Sequence, residues 1–537
     1  MTKTEGRFYF ELPPTQRKGY FFMFEKILMI VIFFAITIGV GVYCRKKATD
    51  VNGFVLGGRS VGPWLTAFAY GTSYFSAVVF VGYAGQFGWK YGMAATWIGL
   101  GNAIIGSLLA WVVLGRRTRV MTHHLGASTM PEYFEKRYGS KGLKIAAALI
   151  TFIFLIPYTA SVYNGLSRLF GMAFDIPYEI CVIVMAVLTG VYVILGGYMA
   201  TAVNDFIQGI IMLVGIVAVI IAVLSGHGGF TEAVIKLSGV TEGAPAGMNG
   251  AYTSMFGPDP MGLLGVVVLT SLGTWGLPQM VQKFYAIKSE KAISQGTIIS
   301  TIFAVVVSGG CYFLGGFGRL TDGSALEYAA NGSLIYDSVI PAMLNKLPDI
   351  LIGIVIVLVL SASMSTLSSL VLTSSSTITL DLIKGNISKK MSEKNQLLSI
   401  RIFIAVFIVL SAGIAIFQYQ SASTFIAQLM GISWGALAGA FLAPFMYGLY
   451  SKRITVASVW TSFIIGVGLT VSNMFLKFIA SPINAGAIAM VLGLIAVPIV
   501  SLVTPKPKKV DVDEIFTCYD TEVVVHKKIS IGNEEEK

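Results

Sequence analysis

The chain has 537 residues, of which 55% are hydrophobic and only 12% are charged. Soluble proteins carry about 25% charged residues, so this composition excludes a set of soluble domains and indicates an all-α, polytopic membrane protein. The formal net charge is +11, but the basic residues are spread over alternate loops. Their placement therefore gives no indication of a nucleic-acid partner.

The apolar stretches predict thirteen membrane-spanning helices, because about 20 apolar residues cross roughly 30 Å of hydrocarbon. In chain order we predict these spans at 24–44, 62–86, 93–115, 143–171, 177–196, 199–225, 259–285, 292–317, 340–381, 398–417, 421–448, 454–476 and 482–503. Together they form a membrane domain over residues 23–503. Residues 1–22 are predicted to be an N-terminal extension, with Met23 as an alternative start, and residues 504–537 a cytoplasmic tail.

Lysine and arginine residues cluster in every second loop between the predicted spans. The positive-inside rule places such loops in the cytoplasm. We therefore expect a plasma-membrane protein with its N-terminus outside and its C-terminus in the cytoplasm. The residues concerned are Arg45, Lys46, Lys47, Arg59, Arg116, Arg117, Arg119, Lys136, Arg137, Lys141, Lys288, Lys291, Lys384, Lys389, Lys390, Lys394, Lys452 and Arg453.

Two predicted spans contain helix-breaking residues near their centres. The second span carries Gly71 within the polar run Gly71-Thr72-Ser73-Tyr74, and the seventh carries Gly273, Gly276 and Pro278. Broken helices at corresponding positions of two halves point to the central binding site of a transporter. Non-helical backbone at this depth persists only where it is buried or lines a cavity.

The ninth span is rich in hydroxyl groups: SASMSTLSSLVLTSSSTITLDL, residues 361–382, contains twelve serine and threonine residues. At about 100° per residue, five positions share one face; they are Ala362, Ser365, Thr366, Ser368 and Ser369. A single hydroxyl in a helix is usually bonded to its own backbone. A whole face of them indicates a binding site for a small hard cation.

Asp205 is predicted to lie inside the sixth span, within GGYMATAVNDFIQG. An ionisable residue at membrane depth is costly and indicates a functional site. The alternative is a local capping or pairing role, because Asp205 is only about six residues from the start of its span.

At these positions the chain resembles the sodium:solute symporter family, over nearly all of residues 24–503. The motifs are LGGRSVGPWLTAFAYGTSYFSA, GGYMATAVNDFIQG, SASMSTLSSL and GALAGAFLAPFMYGLYSKRIT. The resemblance implies the inverted-repeat fold of the leucine transporter, with repeats at about 62–225 and 259–448. It also implies sodium as the co-transported ion.

The resemblance implies a main sodium site formed by the backbone carbonyls of Thr72, Phe75 and Ala362 and the hydroxyls of Ser365 and Thr366. Some members have a second sodium site, for which Asp205, Ser365, Ser368 and Ser369 have suitable chemistry here. The implied solute site lies between the two breaks and the fourth span. Its candidates are Tyr74, Ser76, Tyr158, Thr270, Thr274 and Trp275.

The residue at position 74 helps to predict which solute the protein carries. Members resembling proline carriers have an aspartate at this position, and members resembling pantothenate carriers have a tyrosine. Tyr74 therefore shifts weight from proline toward a small carboxylate or another amino-acid-like solute. We predict a sodium-coupled symporter that imports an amino acid or a small carboxylate, such as pantothenate or proline. No arginine is visible in mid-span to pair with a carboxylate, so helix-end dipoles or the sodium ion are expected to do so.

Other functions remain open alternatives. A proton-coupled carrier of the same fold would use Asp205, and a transporter-like sensor would need a signalling domain that a 34-residue tail is too short to form. We expect no enzyme, since neither paired carboxylates nor a metal-protease or Ser/His motif occurs within the spans. We expect no organic cofactor, and a monomer that works with sodium, a small solute and the lipid bilayer as its partners.

Overall fold

The computed structural model describes residues 14–174, 176–388, 390–420, 426–507 and 509–520. Across these residues the protein is helical, and its strand-like pairings are two isolated bridges. The predicted all-α class is therefore confirmed. Residues 1–13 of the predicted extension, 521–537 of the predicted tail and 421–425 of the eleventh span lie outside the described residues.

Long helices connected by mostly short loops make up the bundle. They are Pro14–Cys44, Pro63–Tyr74, Val78–His124, Lys141–Phe174, Tyr178–Gly226, Pro260–Gly276, Pro278–Ala286, Glu290–Leu320, Asp349–Thr377 with its continuation Ile378–Ile387, Glu393–Gln420, Ile426–Tyr450, Val456–Leu476 and Pro482–Val503. Shorter helices lie in the connections: Val51–Leu56, Met130–Tyr138, Phe230–Ser238, Val339–Leu344 and Lys509–Phe516.

Two of the helical stretches are too long to be single spans. Val78–His124 has 47 residues and Tyr178–Gly226 has 49, which corresponds to about 70 Å of helix each. Gly92 (φ 60°, ψ −139°) interrupts the first and Gly197 (φ 55°, ψ −151°) the second, in conformations that favour glycine. Ten helices of the described chain are long and apolar enough to cross a membrane. Dividing the two longest at these glycines adds two spans, and the bent pair Pro260–Gly276 and Pro278–Ala286 adds one, which gives the predicted number of thirteen.

The ninth span begins later than predicted. Val339–Leu344 is a separate helix, and the spanning helix starts at Asp349, directly after Pro348. Because a proline disfavours helical backbone at the residue before it, a helix cannot easily run through this point. The prediction that residues 340–348 belong to this span was therefore wrong. We call Asp349–Ile387 the serine-rich helix.

The serine-rich helix lies in the centre of the bundle. Every residue from Leu358 to Thr377 is buried, and the helix packs against Tyr178–Gly226 and Lys141–Phe174. Outer helices instead expose large apolar side chains, such as Val409 and Leu502, which is the pattern expected where lipid is the solvent. The hydroxyl groups of this helix therefore face protein and not lipid.

Glycines allow some helices to touch through their backbones. A Cβ atom on Gly88 would lie 1.9 Å from the carbonyl oxygen of Gly315, and one on Gly99 would lie 2.5 Å from the Cα atom of Gly309. Small residues permit this close packing within membranes. These contacts join the stretch Val78–His124 tightly to the helix Glu290–Leu320.

Candidate functional site

The first helix break lies where the sequence predicts it. The helix Pro63–Tyr74 ends at Phe75, which has an extended backbone (φ −97°, ψ 112°), and helical structure resumes at Val78. A helix end leaves carbonyl groups without partners in the helix. We call Pro63–Tyr91 the first broken helix. At this break the carbonyl oxygens of Thr72 and Phe75 can contact groups outside their own helix.

The second break lies in the seventh span. The helix Pro260–Gly276 ends at Leu277 (φ −80°, ψ 122°), and a new helix, bent by 45°, begins at Pro278. Proline suits the first position of a helix because it has no N–H to leave unpaired. We call Pro260–Ala286 the second broken helix.

Five oxygen atoms converge between the first broken helix and the serine-rich helix. The Ser365 hydroxyl lies 3.1 Å from the Thr72 carbonyl oxygen and 3.0 Å from that of Ala362. The Thr366 hydroxyl lies 3.2, 3.3 and 3.1 Å from the carbonyl oxygens of Thr72, Phe75 and Ala362. These are the five atoms predicted for the main sodium site. We call them the central oxygen cluster.

The central oxygen cluster has more acceptors than donors. Its two hydroxyls carry one hydrogen each, so at most two of its five close contacts are hydrogen bonds at any moment. The remaining contacts bring lone pairs of electrons face to face, an arrangement that a cation at the centre would stabilise.

The residues predicted for a second sodium site do not form one cluster of oxygens. Asp205 is completely buried and lies across from Ser369, but the Lys283 ammonium stands between them, 3.9 Å from Asp205 Oδ2 and 3.0 Å from Ser369 Oγ. The Ser368 hydroxyl donates to the backbone carbonyl of Ser365. The Ser365 hydroxyl is part of the central oxygen cluster.

Sequence reasoning missed Lys283, although the signal was present. Lys283 falls five residues after Pro278, inside the predicted seventh span, and an ionisable residue there indicates a functional site as strongly as Asp205 does. The structure shows it 2% exposed.

Two of the candidate solute residues meet at a third aromatic residue. The rings of Tyr74 and Tyr158 lie 6.0 and 5.8 Å from that of Trp434, and a Cβ atom on Gly273 would lie 2.6 Å from the indole. The buried Tyr158 hydroxyl and Trp434 Nε1 lie beside each other, and neither makes a hydrogen bond of ordinary geometry within the described chain. Unpaired buried polar groups are costly, so this pair is well suited to hold a polar ligand.

The other solute candidates are bonded to protein. Thr270 donates to Val266 in its own helix, Thr274 donates to Gly106 or Ser271, and Trp275 Nε1 donates to Ile105. The Ser76 hydroxyl accepts the Val78 N–H, which caps the resumed helix. The contacts of Thr274 and Trp275 hold the second broken helix to residues 102–109.

Tyr74 also begins a chain of polar contacts that the sequence did not reveal. Its hydroxyl lies 3.2 Å from Ser308 Oγ, which accepts a hydrogen bond from Asn102 Nδ2, and Asn102 Oδ1 accepts one from Ser271. Buried polar groups usually require such partners. The chain fixes the orientation of Tyr74 at the break.

The two broken helices are joined at the end that carries the basic loops. Val61 donates to the Ala286 carbonyl and accepts from the Lys288 N–H. Arg119 donates to the carbonyls of Ile287 and Lys288. These contacts, which we call the inner clamp, hold together the chain before the first broken helix, the chain after the second and Arg119.

Comparisons with known proteins agree with this geometry. A model of the sodium:solute symporter family matches residues 54–466. The osmoregulated proline transporter OpuE of Bacillus subtilis is 28% identical over 499 residues, which cover 90% of this chain and 96% of the relative. The sodium/proline symporter of Staphylococcus aureus is 29% identical, covering 82% of this chain and 84% of the relative.

A solved structure supports the fold. The substrate-bound, outward-open structure of a Na⁺-coupled sialic acid symporter aligns with a TM-score of 0.72 at 17% identity, and covers 90% of this chain and 99% of that one. The predicted leucine-transporter-like architecture is thereby confirmed. The limits of the two predicted repeats stay predictions.

Proposed function

Because the chain belongs to the sodium:solute symporter family, we propose that it imports a small organic solute together with sodium, by alternating access. The central oxygen cluster is the observation that supports this proposal most strongly. It lies at a helix break in the centre of the bundle, where oxygens from backbone and hydroxyl groups replace the water around an ion.

Because the central oxygen cluster lies between two helices, sodium binding would be coupled to the movement of one helix relative to the other. Two of its carbonyls belong to the first broken helix, and its other three oxygens belong to the serine-rich helix. A bound ion would hold the two helices together, and its loss would release them. A ligand shifts a conformational equilibrium only through such a difference in affinity between states.

The solute proposed is an amino acid or a small carboxylate, such as proline or pantothenate. The aromatic group of Tyr74, Tyr158 and Trp434 offers apolar surface, and the neighbouring Tyr158 hydroxyl and Trp434 Nε1 offer a polar edge to a ligand. Two curated relatives are named as proline carriers, which supports this class. The proposal places the protein in the plasma membrane as a monomer, with its N-terminus outside.

Uptake into proteoliposomes tests the proposed function. Labelled amino acids, pantothenate, short monocarboxylates and sugar acids are screened with sodium outside, and then with choline in its place at the same pH. We expect one solute to accumulate only with sodium. Equal uptake in choline, driven by an imposed pH gradient, would instead support a proton-coupled carrier and contradict the proposal.

A matched pair of variants connects the test to the site. Thr366→Ala removes one oxygen of the central oxygen cluster, and Thr366→Ser retains it. We expect sodium-driven uptake to fall sharply in the first and to persist in the second. Loss in both variants, or in neither, would contradict the assignment of the sodium site.

A further inference from the structure

We propose that residues 509–520, which we call the tail segment, restrain the opening of the predicted cytoplasmic end of the carrier. This inference rests on the proposed alternating access and gives a regulatory role to a part of the chain that transport itself does not use. The tail segment contacts two groups of helices, and carriers of this fold open and close by moving one group of helices against another.

The tail segment contacts the first group through Arg117, which belongs to the stretch Val78–His124. The Arg117 guanidinium lies 4.7 Å from the centre of the Tyr519 ring, and the Tyr519 hydroxyl donates to the Arg117 carbonyl at 3.3 Å. The electron-rich face of an aromatic ring attracts such a cation. Val78–His124 is joined to Glu290–Leu320 by the glycine contacts and, through Arg119, to the chain after the second broken helix.

The tail segment contacts the second group through Arg137. The Phe516 ring lies 5.0 Å from the Arg137 guanidinium, and Asp513 Oδ1 lies 2.7 Å from Lys452 Nζ. Arg137 belongs to a short helix that packs against Lys141–Phe174, which in turn packs against the serine-rich helix. The tail segment therefore connects the second group to the first.

The two groups also meet directly at the end of the helix Ile426–Tyr450, which packs with the second group. Arg117 Nη1 donates to the Leu449 carbonyl at 3.1 Å, and the Tyr450 hydroxyl donates to that of Val113 at 2.6 Å. The Arg117 guanidinium lies 4.1 Å from the centre of the Tyr450 ring, so it contacts one ring of this helix and one of the tail segment. If the groups separate here, the tail segment has to leave one of them.

Burial shows that the tail segment is packed on the membrane domain. Val512, Phe516 and Cys518 are only 6–8% exposed, whereas Glu514 and Asp520 of the same segment are exposed. One apolar face against the protein and polar residues outside are typical of a docked amphipathic helix. The ion pair of this segment is largely exposed and contributes little by itself. The apolar face and the aromatic contacts therefore hold the segment in place.

The experiment measures how fast a cysteine placed at Thr373 reacts with a maleimide in the purified full-length protein. Thr373 is buried, one turn beyond Ser369 towards the predicted cytoplasmic end of the serine-rich helix, so its labelling reports opening of that end. Mass spectrometry of peptides reads this cysteine and the natural Cys518 separately. Tyr519→Ala removes the ring from Arg117 and is expected to speed labelling at position 373 roughly 2- to 5-fold. Deletion of residues 508–537 is expected to speed it at least as much.

Two control variants keep the aromatic contact. Tyr519→Phe retains the ring and loses only the hydroxyl, and Glu514→Gln alters an exposed residue of the same segment. Both are expected to label at position 373 within twofold of the natural rate. Cys518 is expected to react slowly in the natural protein, because it is buried while the tail segment is docked.

The outcomes separate this inference from the proposed function. Faster labelling at position 373 in Tyr519→Ala, but not in the two controls, supports the inference. An unchanged rate in Tyr519→Ala, an equal rise in Tyr519→Phe, or rapid labelling of Cys518 in the natural protein overturns it and leaves the symporter proposal standing. If the shortened chain does not stay monodisperse, the single substitutions decide. Absence of sodium-dependent uptake by the natural protein would instead overturn the symporter proposal, whatever the labelling rates.

Discussion

Substitution of Thr366 by alanine tests the central oxygen cluster without knowledge of the solute. The Thr366 hydroxyl lies within 3.3 Å of three carbonyl oxygens, all of them uncharged. A hydrogen-bonding group that contacts a charged partner contributes roughly 1.5–3 kcal/mol. Since about 1.4 kcal/mol is a factor of ten, we expect the sodium dissociation constant to rise by about 10- to 150-fold.

Thermal unfolding at increasing sodium concentration measures this change. A ligand that binds only the folded state stabilises it by RT ln(1 + [L]/Kd). Well above saturation, a tenfold weaker site therefore gives about 1.4 kcal/mol less stabilisation by sodium. Choline chloride at equal concentration controls for ionic strength.

Thr366→Ser is the matched control, because it loses only a methyl group and retains the oxygen. Its overall stability is expected to fall by about 1 kcal/mol from lost burial, while its gain in stability on addition of sodium stays near that of the natural protein. If sodium stabilises the alanine and serine variants equally, Thr366 is not a sodium ligand and the reasoning is refuted.

Three further predictions follow from single contacts. Tyr158→Phe should change thermal stability little, because the hydroxyl makes no hydrogen bond of ordinary geometry, yet weaken solute binding; a large loss of stability would contradict this. Gly88→Ala should lower the yield of folded protein in size-exclusion chromatography, since its Cβ would lie 1.9 Å from a facing carbonyl oxygen. The control Gly413→Ala has open space around the new Cβ and should leave the yield of folded protein unchanged. Arg119→Gln breaks two bonds of the inner clamp and should speed labelling of a cysteine placed at Thr373; an unchanged rate would show that the clamp does not limit access.

Much of the architecture was readable from local pattern. Span length follows from the thickness of the bilayer, and glycine and proline within a span indicate a break. The two broken helices agree with the prediction, and the number of spans agrees once the two longest of the ten spanning helices are divided and the bent pair is added. The family, inferred from four motifs, is confirmed by the match over residues 54–466. The five oxygens of the main site are brought together as expected, although their ligand stays a prediction.

Contacts between distant parts of the chain were not readable in this way. Helical periodicity shows that Ser365 and Ser369 share a face, but not that Lys283, 86 residues away from Ser369, reaches that face. Nor does local pattern single out Trp434, whose ring the fold brings to within 6.0 Å of the rings of Tyr74 and Tyr158. Likewise, hydrophobicity does not distinguish the short helix Val339–Leu344 from a span that begins at Asp349.

The central oxygen cluster contains only uncharged groups, since hydroxyls and carbonyls supply all five of its atoms. An ion that enters it adds a full positive charge to the protein, which no ligand cancels. With a solute of no net charge, the inward movement of the loaded carrier would thus be electrogenic, and a membrane potential of 100 mV would favour it by about 2.3 kcal/mol. The Asp205–Lys283 pair carries no net charge, so the return of the empty carrier would be nearly insensitive to voltage.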